Sequence, residues 1–227
     1  MIAENIDKIK QTIETSAQKA GRDPNTIKLV AVSKRFPVDK IVEASNAGQK
    51  LFGENYVQEL QQKVGDLPSD VKIHFIGHLQ SNKAKIAAES CDMIETVDRI
   101  KLGKKINNHM ATLQKKIKIL VQVNIGNDPR KAGTTEQQAA ELIGQLEELP
   151  MLEVCGLMTM PPLEQEPERS RPYFSNLRLF SEKLKQQGFF RDREYIELSM
   201  GMSSDFHIAI EEGATIVRVG TAIFGKR

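Results

Sequence analysis

A lysine directly after a short apolar run is the residue of this sequence best suited to covalent chemistry. The apolar run 27–32 is followed by Ser33 and Lys34, so the lysine stem is expected to begin among apolar neighbours. Desolvation there would lower the pKa of the amine and favour the neutral form, which attacks carbonyl carbons. A solvated lysine at the end of a strand explains the same segment, so Lys34 alone does not decide the chemistry.

Hydroxyl and glycine residues follow two later apolar runs and suit the binding of an anion. Ser199 follows the run 195–198, and Gly220 and Thr221 come shortly after the run 215–218. Backbone N–H groups left open by small residues, together with hydroxyl groups, bind phosphate. A glycine after a strand is usually a simple turn residue. The occurrence of such residues after both runs nevertheless favours a phosphate site.

Two histidines and a polar segment are weaker evidence for a binding site. His74 and His78 are four residues apart, but they lie where a strand enters a loop, so they do not form the helical pair typical of zinc sites. Gln80, Asn82 and Lys83 follow in a polar stretch. They either face a ligand or partner, or cap the next helix.

Short apolar runs alternate with helix-like segments along the whole chain. The strand candidates are 27–32, 50–53, 73–76, 93–96, 117–123, 154–158, 195–198 and 215–218. The helix candidates between them are 38–47, 55–63, 81–90, 98–113, 134–148, 170–187 and 204–212. Most of these helices begin near a short polar residue that can cap the first turn. An apolar stripe with helical spacing precedes the first strand, formed by Ile2, Ile6, Ile9, Ile13 and Ala17.

This alternation predicts an α/β fold in which eight parallel strands form a single (β/α)8, or TIM, barrel over residues 1–227. A doubly wound open sheet has the same alternation and remains the alternative. The chain ends soon after the eighth strand, so the N-terminal helix is expected to cover the wall left by a missing last helix. The segment 161–167 is predicted to be an extended loop at the active face. In a barrel, residues after strands one, seven and eight share one rim.

Composition limits the classes of function. The chain has 227 residues, 40% hydrophobic, with 32 basic against 30 acidic side chains, so no strong positive charge predicts a nucleic-acid or membrane partner. The N-terminus carries early acidic residues and has no continuous apolar run, unlike a secretory signal. Cys91 and Cys155 are too few for a disulfide framework or a four-cysteine metal site. A cytoplasmic protein is expected.

Taken in order, several segments of the chain resemble one known family. The similar segments are 29–34, 52–59, 74–83, 198–203 and 218–221. They resemble the pyridoxal 5′-phosphate (PLP) homeostasis proteins, the YggS/PROSC-type PLP-binding family, and the likeness runs from the first helix to 224–225. The resemblance implies a barrel similar to the N-terminal barrel of alanine racemases, with an extra N-terminal helix.

The same resemblance implies roles for individual residues. It implies that PLP is the cofactor and is held as a Schiff base on Lys34, and that Arg218 faces the pyridine nitrogen. The positions that match the family's phosphate site are Ser199, Gly220 and Thr221. The positions that match its cofactor pocket or rim are Asn55, Met158, Met200 and Ser203. No catalytic residue and no metal is implied.

Arg218 bears on whether the chain is an enzyme. A guanidinium stays protonated, so it donates to the ring nitrogen and discourages protonation there, which weakens the ring as an electron sink. The leading hypothesis is therefore a carrier that buffers or delivers PLP within the cell without substantial turnover, to PLP-dependent apoenzymes or a regulatory protein. The alternatives are a small amino-acid racemase with Lys34 as one base, and a regulatory module that binds a partner through the 161–167 loop. A monomer is favoured.

Overall fold

The computed structural model describes residues 1–162, 164–190 and 193–225. The strands in these ranges are β1 (Lys28–Val32), β2 (Leu51–Glu54), β3 (Lys72–Phe75), β4 (Met93–Val97), β5 (Ile117–Gln122), β6 (Leu152–Met158), β7 (Glu197–Ser199) and β8 (Ile216–Val219). They are parallel and close into a barrel in chain order, because β1 pairs with both β2 and β8. The predicted (β/α)8 barrel is confirmed. The open sheet is excluded, since it would leave two strands with an unpaired edge.

Helices cover the outside of this barrel. They are α1 (Ile2–Lys19), α2 (Val38–Asn46), α3 (Val57–Lys63), α4 (Ala84–Ser90), α5 (Ile100–Thr112), α6 (Glu136–Glu147), α7 (Arg171–Gln186), α8 (Phe206–Glu211) and α9 (Thr221–Phe224). The helices predicted between strands are all present, whereas the single turn of α9 was not predicted. None of the helices in the described ranges has the length and apolar character needed to cross a membrane.

The expectation that short polar side chains cap most of these helices is wrong. Within the described residues, helices α2 to α9 begin without a side-chain hydrogen bond at the N-cap. Their N-cap residues include Pro37, Tyr56 and Arg99, which have no short acceptor group. Asp205 precedes α8, but its carboxylate accepts the N–H of Met202 at 2.7 Å. Packing against the barrel therefore contributes more to these helices than capping does.

The N-terminal helix packs where it was expected, against α8, α9 and α2. Its buried stripe includes the predicted residues Ile2, Ile6, Ile9, Ile13 and Ala17. The Asn5 side chain donates to the Ile223 carbonyl at 2.9 Å, and Lys19 forms an ion pair with Glu211 at 2.6 Å. α1 thus covers the wall beside β8 and β1.

Apolar side chains form two cores, one between barrel and helices and one inside the barrel. Val30 belongs to the inner core, whereas its neighbours Leu29 and Ala31 belong to the outer one, as strand alternation requires. The inner core consists of Val30, Met93, Leu120, Cys155, Met158 and Ile216. It closes the barrel below the carboxyl ends of the strands.

The segment 161–167 connects β6 to a short turn at Pro167–Ser170 that leads into α7, as predicted. Leu163 lies outside the described residues. Tyr173 of α7 donates to Glu164 at 3.4 Å, which ties the loop to the helix that follows it.

A bulge in β6 depends on one glycine. Ile119 pairs with Val154, but the next residue of β5 pairs with Gly156, so β6 holds one extra residue. Gly156 has φ +155°, and a Cβ there would lie 2.0 Å from the carbonyl oxygen of Glu197. Only a residue without a side chain fits between β6 and β7 here.

Replacing Gly156 by alanine is therefore expected to lower the free energy of unfolding by about 3 kcal/mol or more, from backbone strain and overpacking together. Urea unfolding measures the change. Gly65→Ala is the matched control, because nothing lies within 4 Å of a Cβ at that position. Equal unfolding midpoints for the two variants would contradict the bulge's role.

Candidate functional site at the carboxyl ends of the strands

Four neighbouring strands bring the candidate residues to one mouth of the barrel. Ser199 is the last residue of β7, and Gly220 follows β8 directly. Lys34 lies in the turn after β1, and Asn55 follows β2. Since the strands adjoin in the order β7, β8, β1, β2, these four chain segments end beside one another.

The Lys34 turn is closed by its own backbone and by α3. Lys34 is half-buried. The Phe36 N–H donates to the Ser33 carbonyl at 3.1 Å, and Arg35 between them has φ +64°, in the left-handed region. The Arg35 N–H donates to the carboxylate of Glu59. The structure therefore places the amine in a defined turn at the mouth, where the sequence predicted it.

The loops after β7 and β8 contact each other through two of the predicted phosphate-site and rim residues. The Gly220 N–H donates to Ser203 Oγ at 3.2 Å. Gly220 is buried, and a Cβ there would lie 3.3 Å from Val32 of β1, so its backbone packs closely on the neighbouring strand. Thr221 is exposed and begins α9. Hydroxyl and amide donors thus lie together at this side of the mouth.

A buried polar network lies inside the barrel near the same residues. Arg218 donates to Ser199 Oγ and, at 2.8 Å, to the Thr159 carbonyl. The Ser199 hydroxyl donates in turn to Glu95 at 2.5 Å. The other oxygen of Glu95 lies 2.6 Å from His74 Nδ1. Arg218 therefore points inward, as expected from strand alternation, and its guanidinium contacts residues of three other segments, Ser199, Thr159 and Glu95.

Three predicted pocket residues already have contacts within the protein, and these contacts limit the ways in which they can bind a ligand. The Ser199 hydroxyl already bonds to Arg218 and Glu95. Met200 is fully buried in the outer core, and its N–H donates to the Ile216 carbonyl. Met158 lies in the inner core. Their contacts with a cofactor stay predictions.

Burial and charge pairing shift the pKa values of Glu95 and Arg218 in opposite directions. Burial raises the pKa of Glu95, but hydrogen bonds from His74 and Ser199, with the charges of His74 and Arg218, outweigh it and leave the pKa below its usual value. Burial lowers the pKa of Arg218, opposed by the nearby charges of Glu95 and Asp205. A guanidinium stays protonated in proteins, so a carboxylate and a cation face each other inside the barrel.

Replacing Glu95 by glutamine is expected to cost about 3–5 kcal/mol of unfolding free energy near pH 7, because Arg218 loses its buried counter-charge. The folded-state pKa of Glu95 lies below its usual value of 4.5, so its stabilisation is present above that pH and is lost as the pH falls through the folded-state pKa. Urea unfolding of both proteins at pH 7 and at steps below pH 4.5 should show the difference shrinking. A difference that does not change with pH would count against the ion pair.

Buried acceptors without partners lie at the ends of two strands. Among the described residues, Glu54 Oε2, Asn55 Oδ1 and Gln122 Oε1 are buried and have no hydrogen-bond partner. Asn55 follows β2, and Gln122 ends β5. Since buried polar atoms are normally paired, such atoms at strand ends are suited to a ligand that carries donor groups.

The two histidines face different carboxylates. His74 is buried against Glu95, whereas His78 is exposed and its Nδ1 lies 3.9 Å from Asp98. The strand-to-loop placement read from the sequence is thus observed, and the pair does not converge on one point.

The polar stretch after β3 is held by a residue of the next strand-to-helix loop. Arg99 donates to the Leu79 carbonyl at 2.7 Å. Gln80 and Asn82 are exposed, and Lys83 is half-buried. Gln80 and Lys83 occupy N-cap positions without capping through their side chains, so the suggestion that they cap the next helix is wrong for these two.

Sequence reasoning missed Glu95 and the role of His74. Both are polar residues that lie between apolar residues of buried strands, Met93–Val97 and Lys72–Phe75. A charged residue on the inner face of a buried strand needs a partner, and this need was the sequence feature that could have indicated a buried polar network. The network could not be assembled without knowing which strands face each other across the barrel.

Comparison with known proteins gives the class of this barrel. The sequence matches the family described as the alanine racemase N-terminal domain over residues 4–227. An alanine racemase of Clostridium difficile has the same fold, with a TM-score of 0.73 at 17% identity, over 100% of this chain and 56% of that one. The fold and the site thus define a barrel of the alanine racemase N-terminal class.

Closer relatives narrow this class. The chain is 41% identical to the pyridoxal phosphate homeostasis protein of Vibrio alginolyticus, covering 100% of this chain and 97% of that relative. PipY of Synechococcus elongatus, solved with PLP bound, superposes with a TM-score of 0.85 at 36% identity, over 99% of this chain and 100% of that one. The chain belongs to the family of the pyridoxal phosphate homeostasis proteins, as its motifs indicated.

Proposed function

We propose that this protein binds PLP at the mouth of the barrel, as a Schiff base on Lys34, and buffers or delivers it inside the cell. The observation that carries the proposal is the convergence of three kinds of group on adjacent strands. An amine follows β1, a cation points inward from β8, and small residues with hydroxyl and amide donors follow β7 and β8. PLP offers an aldehyde, a ring nitrogen and a phosphate, one for each.

The residues present fit such a ligand. The proposed phosphate donors are Ser203, Gly220 and Thr221, of which Ser203 and Gly220 are already hydrogen-bonded to each other, together with Ser199, whose hydroxyl would have to turn away from Glu95 to donate. Arg218 would face the ring nitrogen, and the buried unpaired acceptor of Asn55 is available to a donor group of the ligand. When bound, PLP supplies a reactive aldehyde that exchanges between amines.

Storage rather than turnover is the proposed role. Arg218 is buried beside Glu95 and stays a cation, so it disfavours the protonated ring that carbanion chemistry uses. The chain is 41% identical to a relative named a pyridoxal phosphate homeostasis protein, over 97% of that relative, which supports the storage role. We propose that residues 1–227 act as one PLP-binding unit in the cytoplasm, as a monomer that transfers PLP to apoenzymes.

The phosphate site predicts a preference between two cofactor forms. PLP should bind about 100-fold more tightly than pyridoxal, because each hydrogen bond to a charged group contributes about 1.5–3 kcal/mol. Titration monitored by absorbance measures both affinities, and Thr221→Val should narrow the gap. Equal affinities for the two compounds would exclude the proposed phosphate site.

A further inference from the structure

A second lysine, which is buried, lies behind the Lys34 turn. Lys63 ends α3, and its side chain is 8% exposed. Its Nζ donates to the Ser33 carbonyl at 3.0 Å, to Glu54 at 2.8 Å and to Glu59 at 2.6 Å. The Ser33 hydroxyl donates to the same Glu54 oxygen at 2.7 Å. Ser33, Glu54, Glu59 and Lys63, the Lys63 cluster below, thus join the β1 turn, β2 and α3.

The Lys63 cluster holds the backbone on both sides of Lys34. Ser33 is held through its carbonyl and its hydroxyl. On the other side, the Arg35 N–H donates to the Glu59 oxygen that Lys63 also contacts. Arg35 has φ +64°, a conformation that residues with a Cβ seldom adopt unless their surroundings impose it. The cluster therefore sets the direction in which Lys34 leaves the turn.

Stability alone is a poor reason for such a cluster. Buried ion pairs contribute little compared with apolar residues of the same volume. Burial also raises the pKa of Glu54, with a smaller contribution from the charge of Glu59, although Lys63 and Ser33 oppose the shift. The buried Lys63–Glu54 ion pair lies beside Lys34 although it adds little stability. A role in fixing the geometry of the Lys34 turn explains it better.

We propose that Lys63 is a positioning residue for Lys34, an inference that rests on the proposed PLP site. The condensation forms a bond between Lys34 Nζ and the aldehyde carbon of PLP, and the aldehyde oxygen leaves as water with both protons of the neutral amine. Its rate depends on near-attack geometry, and a displacement of about 1 Å costs about 100-fold. Lys63 takes no part in the bond changes.

Stopped-flow absorbance of PLP capture tests the inference in two backgrounds. Lys63→Met should slow adduct formation by about 10-fold or more, and Lys63→Arg should restore part of the rate. In Lys34→Ala protein, where capture is non-covalent, Lys63→Met should leave PLP affinity unchanged. Glu59→Ala removes the acceptor of the Arg35 N–H and should slow capture too, which keeps the test open if Lys63→Met does not fold.

The matched control is Lys28→Met, which removes a lysine paired with Glu197 at the opposite mouth of the barrel and should leave the capture rate unchanged. Wild-type protein that forms no adduct on Lys34 would refute the proposed function itself. An adduct on wild type with an unchanged rate in Lys63→Met and Glu59→Ala overturns the positioning role alone. An equal loss of affinity in the Lys34→Ala background also overturns it, since the cluster would then support the whole site.

Discussion

Replacing Lys34 by alanine is expected to abolish the covalent PLP adduct and the absorbance at the violet edge of the visible that accompanies it. Lys34 is half-buried in a turn at the mouth, beside β8, which carries Arg218 and is followed by Gly220. Phosphate and ring contacts remain in the variant, so weaker, non-covalent binding should persist. Absorbance after incubation with PLP and gel filtration measures the loss.

Lys83→Ala is the matched control for this result. Lys83 is also half-buried and follows a strand of the same barrel, but it lies after β3, away from the phosphate-side loops. It should retain the full absorbance. A Lys34→Ala protein with the absorbance of wild type would show that another amine holds the cofactor.

The second large effect is expected from Arg218→Glu. The new carboxylate should allow the ring nitrogen of bound PLP to protonate and shift its absorbance. Loss of the arginine's donors should weaken PLP retention by about 10-fold or more, since a hydrogen bond to a charged group contributes about 1.5–3 kcal/mol. Occupancy must therefore be measured with the spectrum.

The buried network around Arg218 makes a second substitution necessary in this experiment. Arg218 lies 3.9 Å from Glu95, so Arg218→Glu places two carboxylates together and should destabilise the barrel. Combining it with Glu95→Gln should recover stability and separate the spectral effect from unfolding. The parent protein is expected not to turn over amino acids. Sustained racemase or transaminase turnover above about 1 per second by the parent would instead support an enzyme.

The barrel was predictable from sequence because its strands and helices differ in period and alternate regularly. The placement of Lys34, Gly220 and Thr221 at the mouth was predictable for a related reason, since in a barrel the residues just after strands share one rim. The inward direction of Arg218 followed from its place two residues before Gly220. These inferences needed only strand order and alternation.

Other features depend on contacts between distant segments. Glu95 and Ser199 meet across the barrel, and the meeting requires the register of strands that are far apart in sequence. Lys63 reaches the Lys34 turn because α3 packs on β2, the strand beside β1, and no local sequence pattern indicates this contact. The bulge at Gly156 likewise appears only when β5 and β6 are paired.

Peptide mass mapping tests most directly whether Lys34 carries PLP. Purified wild-type protein incubated with PLP is reduced with borohydride, digested and mapped by tandem mass spectrometry. The pyridoxyl-phosphate mass is expected on Lys34 at near-stoichiometric yield, with none in a sample reduced before PLP is added. The same mass on a different lysine, or no modified peptide despite saturating PLP, would contradict the account.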